Sequence, residues 1–473
     1  MGLDAIAVFD VGKTVTKLTI VGEDGSVLDR IQRANQPVET AGLKRLDVDG
    51  IEDWLRASLP AVVGASRIRA IVPVAHGAAA ALVGPGGLAT APLDYEQPIP
   101  ADVRAAYDRQ RDPFVATGSP ALPCGLNLGA QLHFLETQEP GALADDVQIL
   151  PWAQYWSYRL SGVAASEVTS LGCHSDLWLP FEARPSPLGV ARGWARRLPP
   201  MRAAGDVLGT LLPAWASDTG LPADTRILCG LHDTNAALLA ARGFPGISAA
   251  GVTVVSTGTW FIAMRSPGVG ATVNAADLPQ ERDCLVNVDV SGRPIASARF
   301  MGGREIELLC RDDGLRLDAP ELQASLVAVV PLVVSEGLLI RPPIVGGVGP
   351  YPHGRGGRVG PPSDRVARGG ATALYAALMT DTLLALIGSA ERVIIEGRFA
   401  CVEAYVRALA TLRPDLEIFV ASVGLDLAFG ACRLVLPHLP APGSLTRVAP
   451  LLLDLSTYRA RWCELIEQEE RTA

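Results

Sequence analysis

The chain has 473 residues, of which 49% are hydrophobic and 19% charged, and its formal net charge is −9. This length predicts two or three domains, and the composition supplies enough apolar surface for large buried cores. The acidic balance excludes a general nucleic-acid-binding surface, which needs clustered Lys and Arg. The eight cysteines form no CxxC pair and no regular framework, so we expect reduced thiols in a cytoplasmic protein.

No segment predicts a membrane partner. The N-terminus lacks the basic and apolar regions of a signal peptide. The strongly apolar stretch 326–334 is shorter than the roughly 20 residues that span a bilayer. Residues 246–264 are apolar on average, but the Gly, Ser and Thr residues within them predict a strand, a turn and a second strand.

In the first half of the chain, three predicted strands joined by glycine turns form a meander, and strands then alternate with helices. The predicted strands are residues 5–11, 17–22, 26–33, 68–75 and 226–230. The predicted helices are residues 50–59, 102–108, 129–136, 150–160 and 235–242. The helix at 150–160 is rich in aromatic residues and should end at Ser161-Gly162.

The second half begins again with two strands around a turn and ends with alternating strands and helices. The predicted strands are residues 252–256, 260–264, 286–289, 294–296, 392–396 and 417–420. The predicted helices are residues 371–389, 402–411, 425–436 and 457–470. No close sequence repeat accompanies this pattern. We predict two domains, residues 1–245 and 246–473, with the ligand cleft between their two turns.

The first turn, Asp10-Val-Gly12-Lys13-Thr14, has the composition of a phosphate site. Its backbone N–H groups and hydroxyls suit phosphate oxygens, and Asp10, at the end of a strand, suits a hydrated Mg²⁺. Any β-hairpin with a polar turn looks similar, so this segment alone does not decide between the two interpretations.

Two later segments supply related chemistry. Asp233, in Gly230-Leu-His-Asp-Thr234, follows an apolar strand and opens a helix. It fits the base that takes a proton from a hydroxyl in phosphoryl transfer, although this segment alone favours the commoner role of a helix N-cap. Ser256-Thr-Gly-Thr-Trp260 lies between two strands, where Gly258 would admit a phosphate close to the backbone. The alternative for this segment is an ordinary tight hairpin.

Taken in this order, the three segments resemble those of the FGGY carbohydrate kinases in the actin-like ATPase superfamily. The resemblance continues along the chain and leans toward the rhamnulokinase and fuculokinase branch. Further similar segments are Ala75-His76-Gly77, residues 150–162, residues 367–370 with the helix that follows, residues 393–398 and residues 429–431.

The resemblance implies an α/β fold of two actin-like (ribonuclease H-like) domains, with mixed sheets flanked by helices and the active-site cleft between them. It implies an N-terminal sugar, phosphate and Mg²⁺ side and a C-terminal nucleotide side. The implied activity is ATP-dependent phosphorylation of a ketose such as L-rhamnulose, L-fuculose or a pentulose. The implied partners are this small-molecule sugar, ATP and Mg²⁺, and a homodimer is the candidate assembly.

The family's roles transfer to individual residues of this chain. Asp233 would be the general base and a metal contact, and Asp10 would hold Mg²⁺ through water. The residues implied beside the ATP phosphates are Gly12, Lys13, Thr14, Thr257, Gly258, Thr259 and Gly397. The residues implied at the sugar are His76, Gly77, Glu96, His232 and Asp233. His76 could instead be a core histidine.

The chain departs from the family pattern at three places. Lys13 stands where many relatives have Thr or Ala, and its ammonium would either stabilise the transferring phosphoryl group or reach solvent. Arg398 and Phe399 are bulky where relatives have glycines against the nucleotide. Residues 93–97, with Asp94 and Glu96, stand where relatives often have a Trp-containing sugar segment, or form an exposed loop.

The altered segment 396–401 motivates an alternative from another class, a catalytically weak or inactive sugar or nucleotide sensor on the same fold. The presence of both Asp10 and Asp233 argues against a sensor, because a sensor needs neither a metal ligand nor a base. A chaperone-type ATPase of the superfamily finds no support, since we expect no substrate-binding domain and only a short helical tail at residues 457–470.

Overall fold

The computed structural model of the chain describes residues 4–62, 67–244, 247, 251–268, 270–361, 363–390, 392–421, 426–441 and 443–470. The chain divides into two compact units. Unit 1 contains Met1–Pro245, Val286–Pro294 and Asp426–Pro442, and unit 2 contains Gly246–Leu285, Ile295–Leu425 and Gly443–Ala473. The domain boundary predicted at residues 245 and 246 lies outside the described residues and stays a prediction.

The first 244 residues contain fourteen strands and nine α-helices among those described. The strands are β1 (Ala5–Val11), β2 (Val15–Gly22), β3 (Val27–Ala34), β4 (Val38–Thr40), β5 (Leu43–Arg45), β6 (Ile68–Ala75), β7 (Ala80–Gly84), β8 (Gly87–Thr90), β9 (Gln148–Pro151), β10 (Trp178–Leu179), β11 (Arg184–Pro185), β12 (Val207–Thr210), β13 (Arg226–Leu228) and β14 (Leu231–His232). The helices are α1 (Val48–Ser58), α2 (Ala101–Asp108), α3 (Phe114–Thr117), α4 (Leu128–Gln138), α5 (Trp152–Ser161), α6 (Val168–Leu171), α7 (Pro187–Ala191), α8 (Pro213–Thr219) and α9 (Asp233–Ala241).

A mixed sheet forms the centre of unit 1. Its strand order is β12-β13-β6-β1-β2-β3, and the short β14 also pairs with β6. β1 runs antiparallel to β2 and parallel to β6, and β13 and β14 are parallel to β6. All seven residues of β1 are buried, as expected for a central strand covered on both faces.

Helix α5 provides much of the core on one face of this sheet. Trp156 meets Phe9 of β1 edge to face at 5.3 Å between ring centroids, and Trp152 stacks on Tyr155 at 5.4 Å. The helix predicted at 150–160 was placed too early, because Leu150 and Pro151 end β9, where they pair with β7. Pro151 has the extended conformation of a residue that precedes a helix.

The rest of the chain contains nine further strands and six further α-helices among the described residues. The strands are β15 (Val252–Thr257), β16 (Phe261–Ser266), β17 (Cys284–Val288), β18 (Pro294–Phe300), β19 (Leu339–Arg341), β20 (Gly357–Val359), β21 (Arg392–Gly397), β22 (Glu417–Ala421) and β23 (Leu445–Arg447). The helices are α10 (Gly302–Cys310), α11 (Gln323–Ser335), α12 (Arg365–Leu386), α13 (Glu403–Leu412), α14 (Leu427–Cys432) and α15 (Ser456–Glu470).

Unit 2 is built on the strands of a second mixed sheet that follow one another in the order β18-β16-β15-β21-β22-β23. β15 pairs antiparallel with β16 and parallel with β21, the same relation that β1 has to β2 and β6. Helix α12 is long and apolar enough to cross a membrane by length and composition, but 83% of its apolar window is buried within the protein. All eight cysteines are free thiols.

Candidate functional site

Three parallel strands of unit 1 end side by side. Val11 of β1 and His232 of β14 both stand opposite Ala75 of β6 in the sheet register. Asp10, His76 and Asp233 lie at or just beyond these strand ends. Ligands of open α/β sheets bind outside the carboxyl ends of the strands, so this edge is the candidate site of unit 1.

The turn between β1 and β2 is held in one conformation. A Cβ at Gly12 would lie 2.7 Å from the carbonyl oxygen of Val15, so a side chain at Gly12 would force the turn open. The Asn35 side-chain amide donates to the carbonyl of Gly12 at 2.8 Å, and Asn35 N–H donates to the carbonyl of Thr14. The turn is therefore fastened from β3, with Thr14 exposed.

Asp10 is a buried carboxylate with an unsatisfied oxygen. Only 4% of the residue is exposed, and Oδ1 has no hydrogen-bond partner among the described residues. Burial, and then the negative charge of Asp233, raise the pKa of Asp10 to about 7, against the opposing effect of Lys17. Lys17 Nζ lies 3.9 Å from Oδ2. Such a carboxylate gains from a cation placed beside it.

Asp233 is the first residue of α9, and its contacts orient one carboxylate oxygen. Oδ1 accepts hydrogen bonds from the backbone N–H and the hydroxyl of Thr234, and it lies 3.2 Å from His232 Nε2. All three contacts involve Oδ1, and among the described residues none engages Oδ2. The side chain is 29% exposed. One oxygen is therefore fixed while the other remains accessible.

The position of Asp233 depends on Gly230, at the junction of β13 and β14. Gly230 has a φ of +79°, and a Cβ there would lie 2.2 Å from the carbonyl oxygen of Pro73 in β6. Only glycine satisfies both conditions without strain. The chain can therefore turn tightly against β6 before β14 delivers Asp233 to the strand ends.

His76, Gly77 and His232 lie together with a cysteine that the sequence-based prediction did not include. Cys173 Sγ lies 3.6 Å from His232 Nε2. A Cβ at Gly77 would lie 3.0 Å from that nitrogen and 3.1 Å from the sulfur, so Gly77 makes room for the pair. Burial lowers the pKa of His76, whose Nδ1 is 2.8 Å from the carbonyl of Gly77.

The charges of Cys173 and His232 are coupled. Burial alone would lower the pKa of the His232 imidazole, but the neighbouring Cys173 and Asp233 raise it. Burial alone would raise the pKa of the Cys173 thiol, but the neighbouring His174 and His232 lower it. A thiolate beside an imidazolium is therefore favoured next to Asp233.

The ammonium of Lys13 lies on loop 93–97. It forms an ion pair with Asp94, lies 3.7 Å from Glu96 Oε2 and stands 5.1 Å above the ring of Tyr95. Tyr95 in turn meets His76 edge to face at 5.6 Å. Loop 93–97 is thus joined both to the first turn and to His76. The role beside the γ-phosphate implied for Lys13 stays a prediction.

In unit 2, the turn between β15 and β16 is tied to the end of β21. Thr257 is fully buried, and its hydroxyl donates to the Glu396 carbonyl at 2.6 Å and accepts from Phe399 N–H at 3.1 Å. This hydroxyl is therefore used within unit 2. Gly258 and Thr259 form the tip of the turn, where the carbonyl of Thr259 accepts from Arg304 N–H.

The bulky residues of segment 396–401 have structural partners. Phe399 is 1% exposed and packs 5.5 Å from Phe261. Arg398 forms ion pairs with Glu307 and Asp318. Gly397 has a φ of +90°, and a Cβ there would lie 2.8 Å from the Thr257 carbonyl oxygen. Gly397, which matches a glycine of the family pattern, is therefore required by the close approach of β15.

The contacts of Cys173 and Tyr95 had no local signal in the sequence. Cys173 precedes His174 after a short helix, and its partner His232 comes 59 residues later. Tyr95 lies between Asp94 and Glu96, which were singled out for their carboxylates. Both contacts arise from pairing distant segments at the ends of β6 and β14.

Comparison with known proteins matches residues 249–442 to the family model described as carbohydrate kinase FGGY, C-terminal domain. A carbohydrate kinase from Novosphingobium aromaticivorans has a solved structure that is 50% identical, with a TM-score of 0.94. That match covers 99% of this chain and 100% of the other.

Two further matches are more distant. The L-fuculokinase of Salmonella typhi is 28% identical over 278 residues. The match covers 57% of this chain and 58% of the length of the L-fuculokinase. A xylulose kinase from Rhodospirillum rubrum is 18% identical with a TM-score of 0.77, covering 99% of this chain and 98% of that one, which is a likeness of fold.

Proposed function

Because the chain belongs to the FGGY family of carbohydrate kinases, we propose that it transfers the γ-phosphoryl group of ATP to a hydroxyl of a sugar. The proposed acceptor is a ketose such as L-rhamnulose, L-fuculose or a pentulose. The partial match to an L-fuculokinase and the fold shared with a xylulose kinase support this substrate class. We propose the cytoplasm as its location, in line with its free thiols.

The observation that supports this activity most strongly is the placement of Asp10 and Asp233 at the ends of β1 and β14, the two strands that flank the end of β6. One carboxylate is buried with an unpartnered oxygen, and the other has an accessible oxygen. Phosphoryl transfer to an alcohol needs a cation near the phosphates and a base near the hydroxyl. Two carboxylates in these two environments suit those separate roles.

Asp233 acts as the base in this proposal. Thr234 and His232 hold Oδ1, so that Oδ2 can accept the hydrogen bond of the sugar hydroxyl. The carboxylate orients this hydroxyl toward the γ-phosphorus and takes its proton as the new P–O bond forms. The His232 ring, whose Nε2 lies 3.2 Å from Oδ1, helps to hold the carboxylate in this orientation.

The residues present fit the Mg²⁺ ion that the family implies. Asp10 Oδ1 is buried without a partner, and Asp233 is close enough to raise the pKa of Asp10. Among the described residues, no group of three or more His, Cys, Asp or Glu side chains could hold a metal. Two carboxylates suit Mg²⁺, which keeps several waters and, when bound, neutralises charge on the transferring phosphoryl group.

We propose the remaining phosphate and nucleotide contacts within each unit. In unit 1, the backbone of Gly12 and the N–H and hydroxyl of Thr14 face the phosphates, since the turn is fastened through Asn35. In unit 2, Gly258, Thr259 and Gly397 contact the nucleotide mainly through backbone groups, since the Thr257 hydroxyl is already used. On the sugar side, His76, Gly77, Glu96 and His232 line the substrate.

The test is coupled detection of ADP release with ATP and Mg²⁺ over pentuloses, hexuloses and 6-deoxyketoses. Asp233→Asn should lower kcat by roughly 10²-fold or more and leave sugar binding largely intact, since the amide cannot take the proton. The matched control is Asp218→Asn, because Asp218 is half exposed and pairs only with Arg56 among the described residues. It should keep normal turnover.

Near-normal turnover by Asp233→Asn would overturn the base assignment. Sugar binding without ADP release across the whole sugar panel, with ATP and with other nucleotides, would favour the sensor over the kinase.

A further inference from the structure

The ammonium of Lys13 is held by the loop at residues 93–97. Its side chain is 14% exposed, whereas that of its partner Asp94 is 1% exposed. The ammonium also stands 5.1 Å above the ring of Tyr95, which meets His76 edge to face at 5.6 Å. The charge of Lys13 is therefore directed away from the first turn and toward loop 93–97 and His76.

Asp94 is itself fixed in place. Its backbone N–H donates to the Lys44 carbonyl at 3.0 Å, and its Oδ1 accepts from Glu96 N–H at 2.8 Å. Leu93 forms a β-bridge with Arg45. The carboxylate that receives Lys13 is therefore anchored to β5 and does not move freely with the loop.

Moving Lys13 to a phosphate would leave Asp94 buried without its cation. Removing one member of a buried ion pair strands the other charge, which is strongly unfavourable. Glu96, which is 60% exposed, adds a second carboxylate near the same ammonium. The local balance is thus one positive charge against two negative charges.

We propose that Lys13 is a specificity-determining residue on the sugar side, positioned by Asp94, and that this cluster selects neutral polyhydroxy sugars over sugar acids. The inference rests on the proposed function and deepens it by naming the charge class of the substrate. Lys13 retains an N–H for a sugar hydroxyl oxygen, and Glu96 accepts from a hydroxyl. A sugar carboxylate would meet the carboxylate of Glu96, while the ammonium of Lys13 is already paired with Asp94.

The first test measures binding without nucleotide, so that it does not depend on turnover. Titration calorimetry would compare the neutral ketoses L-fuculose and D-xylulose with the aldonates L-fuconate and D-xylonate. Wild-type protein should bind at least one ketose more tightly than either aldonate. Asp94→Asn releases the Lys13 charge and should shift the aldonate-to-ketose affinity ratio toward the aldonate by on the order of tenfold.

Two further variants complete the design. Lys13→Met should weaken ketose binding and raise the KM for the ketose. It should change kcat by less than about threefold, because the lost contact stabilises the bound ketose and the transition state equally. Asp145→Asn is the matched control, since Asp145 is 87% exposed and pairs only with arginines among the described residues. It should leave the affinity ratio unchanged. Thermal unfolding would establish that each variant is folded.

Three results would overturn the inference. The first is tighter wild-type binding of an aldonate, or binding of neither class. The second is an unchanged affinity ratio in folded Asp94→Asn. The third is a fall in kcat in Lys13→Met with ketose affinity unchanged, which would return Lys13 to the γ-phosphate. If the binding ratios are as predicted but no sugar is phosphorylated, only the proposed function would be wrong.

Discussion

The placement of Asp233 depends on the backbone three residues earlier. Gly230 combines a positive φ with a contact to β6 that leaves no space for a Cβ. A change there would move Asp233, the proposed base, without altering any group that touches substrate. Gly77 similarly makes room for His232 and Cys173. At the scale of single residues, the geometry of the site depends on glycine at positions 77 and 230.

Gly230→Ala should lower the free energy of unfolding by about 3 kcal/mol or more, because the strained φ and the clash with Pro73 add together. Turnover should fall as well, since Asp233 shifts. The matched control is Gly220→Ala, where φ is +68° but nothing lies within 4 Å of the new Cβ, so the loss should be ~1 kcal/mol. Urea unfolding measures both; equal losses in the two variants would disprove the packing argument.

At the scale of elements, buried groups join the end of β21 to β15. Glu396 is 7% exposed, and burial raises the pKa of its carboxyl to about 7 despite a hydrogen bond with Ser256. Its backbone carbonyl also receives the Thr257 hydroxyl. The junction that carries Gly397 therefore contains a carboxyl that folding prefers to keep protonated.

The raised pKa of Glu396 predicts that the stability of the protein depends on pH. The folded pKa of about 7 lies above the ordinary value of 4.5, so the folded state binds more protons between these pH values. The free energy of unfolding should therefore fall as pH rises from about 4.5 to about 7, by up to ~3 kcal/mol, and then level off.

Glu396→Gln should reduce that fall by the contribution of Glu396, because the amide does not titrate, while Asp10 and Glu167, whose pKa values burial also raises to about 7, keep their contributions. The comparison is urea unfolding at pH 5 and pH 8, with the exposed Glu321→Gln as the control that keeps the wild-type slope. A variant with an undiminished pH dependence would mean that Glu396 does not govern it.

At the scale of the whole molecule, the chain returns to its first unit near its end. Residues 426–442 belong to unit 1, and α14 packs on α9, the helix that begins with Asp233. The helices approach so closely that a Cβ at Gly430 would lie 1.8 Å from the carbonyl oxygen of Ala236. An ion pair between Arg30 and Asp426 joins the same segment to β3.

Gly430→Ala should therefore lower kcat and destabilise the protein by about 1–3 kcal/mol, although alanine favours a helix, because α9 must move to admit the methyl group. Gly357→Ala is the control, since nothing lies within 4 Å of its new Cβ and its φ is not positive. Steady-state kinetics and thermal unfolding of both variants would check this. A Gly430→Ala protein with wild-type activity and stability would contradict the role of this contact.

Several elements could be predicted because their signals are local. The strand at 68–75 was predicted with the observed bounds, since a continuous apolar run of this length is typical of a buried strand. The helix predicted at 102–108 is confirmed as α2 within one residue. The strands β7 and β8 and the helix α11 were not predicted, because short or uniformly apolar segments carry no clear period.

The sequence by itself determined the order of those elements that have local signals, the three motif segments and the resemblance to a family of sugar kinases. Apolar periodicity, turn glycines and acidic residues at strand ends are set within a few neighbouring residues, so they can be read without a fold. The tertiary structure alone decided that Lys13 pairs with Asp94, that Cys173 meets His232 and that α14 covers α9. These contacts join residues tens to hundreds of positions apart, and their energy comes from burial and charge pairing that exist only once the sheets have formed.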